Sequence, residues 1–88
     1  MRSLRRKYNV NGEGKYVCGP IVPKKGGVTA DSRVVASISE YNSNGPFIGN
    51  ATLWVNSVAP NDNGEIFVEV NIQWDKPINF RITCFIDP

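Results

Sequence analysis

Side chains able to do chemistry are scarce in this chain, and the most useful of them is missing. Its 88 residues include no histidine, which removes the commonest general base, the commonest zinc ligand and every Ser-His-Asp arrangement. Two cysteines, Cys18 and Cys84, fall short of a four-ligand structural zinc site. Glu65 and Glu69 lie on one side of an extended run, but roughly 13 Å apart at about 3.3 Å per residue, too far for the paired carboxylates of a glycosidase. NGEGK at 11–15 has the glycines and lysine of a phosphate loop without its spacing or its preceding strand. PNDNGE at 60–65 is close to a calcium loop, yet the pattern that places its glycine at Gly64 needs an acid at Ala59 and a bidentate Glu at Val70. Both requirements fail, and a hairpin turn is the better reading. Asn50, Ala51 and Thr52 form a glycosylation sequon, which matters only in a eukaryotic secretory pathway. The expectation is a protein that is not an enzyme, with no cofactor and no metal.

Cys18 and Cys84 each sit in a strand-like run and support two readings. They are buried thiols in a reducing compartment, or they form a disulfide tying the first strand to the last, which would contribute on the order of 4 kcal/mol in the chain-entropy model. The second reading implies a secreted or virion-surface location.

Side chains able to bind, as opposed to react, are more plentiful. In residues 64–87, GEIFVEVNIQWDKPINFRITCFID, one apolar row runs through Ile66, Val68, Val70, Ile72 and Trp74, and another through Phe80, Ile82, Cys84 and Ile86. The alternate positions carry a second face. There Phe67 and Phe85 join Trp54 from an earlier run, beside Asn56, Glu69, Asn71 and Arg81. Aromatic rings among amides and charges suit a wet protein interface or the face of a sugar.

Charge is unevenly spread. Residues 1–33 hold eight basic against two acidic side chains, +6, while residues 34–88 hold two against six, −4. Arg2, Arg5, Arg6 and Lys7 place four cations within seven residues, and Lys15, Lys24 and Lys25 extend them. Residues 1–14 show charge, Asn and Gly but no periodicity, and read as a flexible basic N-terminal arm. MRSLRRKYNV resembles the charged start of a signal peptide, but NGEGK stands where the apolar segment belongs. No window of roughly 18 apolar residues exists to form a membrane-spanning helix.

The elements that must position these groups are strands. Residues 15–18 form a short strand candidate and 19–27, with two prolines and three glycines, a loop. Residues 29–41 fit a helix with Ala30, Val34, Ile38 and Tyr41 on one face, or a strand with Val34, Ala36 and Ile38 facing one way and Arg33, Ser37 and Ser39 the other. Val34, Val35 and three serines favour the strand. Residues 47–58 form a further strand, with a turn at 60–64. If the apolar rows of an antiparallel meander share one face, the loop at 60–64 must contain an even number of residues, and the loop at 75–79 an odd number. The expected fold is all-β, one domain over residues 15–88, a small antiparallel meander of four to five strands closed as a sandwich or barrel. The alternative is α+β, with one helix at 29–41 covering a three-stranded sheet.

Two functions follow from these features. The first is an assembly or recognition module that self-associates or binds a protein or carbohydrate through the aromatic-polar face. The second is a small nucleic-acid-binding protein that uses the basic arm. Against the second, the body is acidic and no RNA-binding signature is present.

Overall fold

A computed structural model describes residues 2–87; Met1 and Pro88, the outer ends of the expected arm and domain, lie outside them. The fold is all-β, with no helix among the described residues and two antiparallel sheets. Seven strands follow in order: β1 (Arg2–Val10), β2 (Gly14–Ile21), β3 (Arg33–Asn42), β4 (Gly45–Phe47), β5 (Thr52–Pro60), β6 (Ile66–Gln73) and β7 (Ile78–Asp87). Sheet A has the order β1-β7-β3-β4 and curls into a half-barrel, and sheet B has the order β2-β6-β5. Among the described residues no helix is long and apolar enough to cross a membrane.

The two most regular apolar rows explain this architecture. β6 buries Ile66, Val68, Val70 and Ile72, and β7 buries Ile78, Phe80, Ile82, Cys84 and Ile86. Each large side chain so buried is worth roughly 1.5–3 kcal/mol, so neither row can stay in water. A meander would set the rows side by side and leave both uncovered. Instead β6 lies at the centre of sheet B and β7 pairs only within sheet A. Residues 74–77 therefore carry the chain from one sheet to the other, and each row covers its counterpart. The parity expected of a β6–β7 hairpin loop does not apply.

Between β5 and β6 the expected parity also fails, for a different reason. Leu53 pairs with Ile72 and Val55 with Val70, so an even loop is required, but the connection is the five residues 61–65. A bulge between Val55 and Ser57 absorbs the difference, and beyond it Val58 faces Val68. The turn is held by Asn61, whose side-chain Oδ1 accepts from the backbone N–H groups of Asn63 and Glu65 at 2.9 and 3.1 Å. Gly64 alone takes the positive φ, at 79°.

Residues 2–10 are not an arm. They pair residue for residue with β7, from Arg2 opposite Ile86 to Val10 opposite Ile78. The alternation was hidden by arginines at the inward positions 2 and 6. On the inward side Leu4, Tyr8 and Val10 pack on the core, and Tyr8 stacks on Phe80 with ring centroids 5.5 Å apart. Residues 29–41 resolve as strand, β3, from Arg33 onward.

Cys18 and Cys84 are both buried and both free, so the disulfide is absent. Burial pushes the Cys18 thiol up to about 11. The Cys84 thiol is raised by burial as well, opposed by the nearby Arg6 charge.

Candidate functional site

Pairing along β7 sets out the outer face of sheet A in rows. Ser3 and Val35 flank Phe85, Arg5 and Ser37 flank Thr83, and Lys7 and Ser39 flank Arg81. In an antiparallel sheet such neighbours stand about 5 Å apart. Phe85 and Val35 are exposed, at 41% and 68%, and form an apolar spot at one end. At the other end the Lys7 ammonium lies 5.2 Å from the centre of the Tyr41 ring, and between the two ends run hydroxyls and cations. The distance along β7 from Phe85 to Arg81 is roughly 13 Å at about 3.3 Å per residue.

Electrostatics distinguish this face. Lys7 and Arg81 are direct cross-strand partners, an arrangement that weakens a sheet because like charges repel. Arg5 stands diagonal to Arg81. Among the described residues the only carboxylate on these rows is Asp87, at the far end, where Arg33 Nη2 holds it at 3.2 Å. The Nε atom of Arg81 is shielded from solvent and has no hydrogen-bond acceptor among the described residues. The face thus gathers three neighbouring cations, an unmet donor, four hydroxyls and a ring at each end.

The aromatic trio of the sequence is dispersed, because β6 and β7 belong to different sheets. Phe85 and Arg81 stand on sheet A, while Trp54, Phe67, Asn56, Glu69 and Asn71 stand on sheet B, on the opposite surface of the molecule. Within sheet B the polar group does assemble. Asn56 Nδ2 donates to Asn71 Oδ1 at 2.7 Å and reaches Glu69 Oε1 at 3.4 Å. Trp54 is the cross-strand partner of Asn71 and borders a shallow hollow of about 220 Å³ with Lys15 and Gln73. Phe67 is occupied structurally: its ring lies over Gly19, where a Cβ would come within 2.8 Å of it. One amide–amide hydrogen bond thus ties this group together, and one of its two rings is engaged with the backbone.

The four basic residues expected on an arm are divided between the two sides of β1. Arg5 and Lys7 point outward with Arg81, while Arg2 and Arg6 share the inner side with Leu4 and Tyr8. Tyr41, Ser37, Ser39 and Thr83 were not anticipated as a group with them. The alternation of Ser37 and Ser39 in residues 29–41 marks a polar strand face, but only the pairing of β3 with β7 brings it beside arginine and lysine.

Among the described residues no three Cys, Asp or Glu side chains converge to hold a metal ion. No protein-family model, curated protein or solved structure matches the chain. Fold and surface together define a class only: a small antiparallel β module of two facing sheets, with one basic outer face.

Proposed function

We propose that the protein is a non-catalytic recognition module that binds single-stranded nucleic acid across the outer face of sheet A. The observation that carries this reading is the Lys7–Arg81 pair, two cations directly opposite on adjacent strands, with Arg5 beside them and no free carboxylate on their rows. Such repulsion weakens the sheet in isolation and is relieved when phosphates bind. Phe85 and Tyr41 are placed to stack bases, a contact worth about 1–3 kcal/mol per base and tolerant of sequence. The reading keeps the basic residues of the N-terminus but presents them from a strand. It departs from the aromatic-polar face centred on Trp54, Phe67 and Phe85, which the two sheets divide, and keeps only Phe85 of its rings.

Fluorescence anisotropy with labelled oligothymidylate of about ten nucleotides tests the proposal. Binding is expected at low salt, with affinity falling on a log-log plot at a slope near −2, about 0.7 for each of three neutralised phosphates. Lys7→Glu with Arg81→Glu should abolish it, and Phe85→Ala should weaken it about fivefold or more. Failure to bind at low salt, or equal binding by the charge-reversed protein, overturns the proposal. So does a sedimenting dimer that those same two changes dissolve, because the basic face would then belong to a second copy's acidic surface.

A further inference from the structure

A second basic feature lies on the other side of β1. We infer that the cleft between β1 and the 22–27 loop binds a phosphomonoester carried on an apolar or heterocyclic body. The cleft has a volume of about 410 Å³, within the range of small-ligand sites. Arg2, Arg6, Lys24 and Lys25 line it, Leu4 and Ile86 form its apolar floor, and no carboxylate among the described residues enters it.

Arg2 organises the site. Its Nη1 donates to the Gly26 carbonyl oxygen at 2.6 Å and draws the loop against the strand. Its Nη2 is buried and has no hydrogen-bond partner among the described residues. A buried guanidinium N–H without an acceptor is unfavourable, and a phosphate oxygen would satisfy it with a charge-assisted bond. The loop leaves room for such a group. The Gly26 N–H donates to the Pro23 carbonyl at 3.0 Å to close the turn, and a Cβ on Gly27 would approach Arg2 Nη2 to 3.2 Å.

Basic residues also guard exposed edge strands against pairing with other chains, and that role accounts for charge at Arg5, Arg6 and Lys7 on an edge. It does not account for Arg2, whose side chain turns inward and is partly buried, nor for Lys24 and Lys25, which come from a separate segment. The apolar floor beside the cations calls for a ligand with a phosphate at one end and a ring or short chain at the other. Such a group is supplied by a free small phosphomonoester or by the phosphorylated 5′ end of a strand lying on the neighbouring face.

Isothermal titration with phenyl phosphate tests the site independently of any nucleic acid, with phenol and inorganic phosphate as controls. Saturable binding of phenyl phosphate is expected, tighter than either control. Arg6→Gln and the double change Lys24→Gln with Lys25→Gln should each weaken it at least about tenfold. Lys15→Gln, on sheet B, should leave it unchanged. Arg6, Lys24 and Lys25 are exposed and their substitution spares the core, so unchanged thermal melts are expected alongside. Absence of saturable phenyl phosphate binding overturns the inference, as does full affinity in the Lys24 and Lys25 variant. Once binding is seen, oligothymidylate with and without a 5′-phosphate decides the source: tighter binding of the phosphorylated strand assigns the cleft to strand ends, and equal binding assigns it to free phosphomonoesters.

Discussion

Gly19 shows how one residue holds part of the surface in place. Its φ of 149° and the close approach of the Phe67 ring and the Ile66 carbonyl, at 2.8 and 2.9 Å from a notional Cβ, leave no room for a side chain. Gly19→Ala is expected to destabilise the protein by roughly 1–3 kcal/mol, the usual range for an enforced backbone strain, measured by urea unfolding. Trimming the ring with Phe67→Ala in the same chain should recover part of that loss, because one of the two collisions disappears. The thiols make a second residue-scale prediction. Cys18 and Cys84 are buried and held in the protonated form, so a thiol reagent at neutral pH should label neither until the protein unfolds, and then label both. Their folded values are raised, so the unfolded chain gives up its protons first as pH rises. Stability is therefore fully present below the ordinary thiol value of 9.0 and is lost as pH climbs from there toward about 11. For Cys18 the loss approaches about 1.4 kcal/mol per pH unit within that window, and denaturant midpoints at pH 8 and 10.5 would measure it.

At the scale of elements, β1 carries a role that its composition conceals. Removing residues 2–10 exposes the length of β7 and takes Leu4, Tyr8 and Val10 off the core. The shortened chain is expected to lose cooperative thermal unfolding by circular dichroism, whereas the trimming of a mobile arm would leave the melt intact. Loss of ligand binding by truncation is accordingly uninformative here, and point reversal of charge is the cleaner test. The remaining edges are blunted in other ways. β4 is three residues long and contains Pro46, β5 is bulged and ends in Pro60, and the register of β2 shifts between Cys18 and Ile21. β1 is long and unbroken, and Arg5 and Lys7 discourage another strand from joining it. Replacing both with threonine should promote concentration-dependent association, visible by light scattering.

Over the whole molecule, stability rests on one small core shared by β6 and β7. Phe80 is fully buried at the centre of sheet A's inner face, and Phe80→Ala is expected to cost about 3–5 kcal/mol. A domain of this length has a total stability on the order of 4–13 kcal/mol, so urea titration should find the variant close to its unfolding threshold at 37 °C. Charge is also a property of the whole. Strands of sheet A hold six basic and two acidic side chains, while those of sheet B hold one of each, and the connections between strands carry the other five acidic side chains. The +6 and −4 halves of the chain thus become a basic face and an acidic periphery.

Much of this was legible in the residues alone, because period-two alternation is a local property. The alternating Ile and Val of 66–72 and the Phe, Ile and Cys of 80–86 determined strands, their inward sides and the need for a cover, and the lack of histidine limited the chemistry. The cover itself was a tertiary decision. Whether 74–77 turns back within a sheet or crosses to another depends on which surfaces can be buried together, and that sum includes β1, whose inward Leu4, Tyr8 and Val10 are separated by arginines and lysine. With β7 flanked by β1 and β3, Phe85 and Arg81 left the company of Trp54 and joined Arg5, Lys7 and Tyr41. Side-chain direction is written residue by residue, but which strands become neighbours is settled by the burial of the whole, and the candidate site is a matter of neighbours.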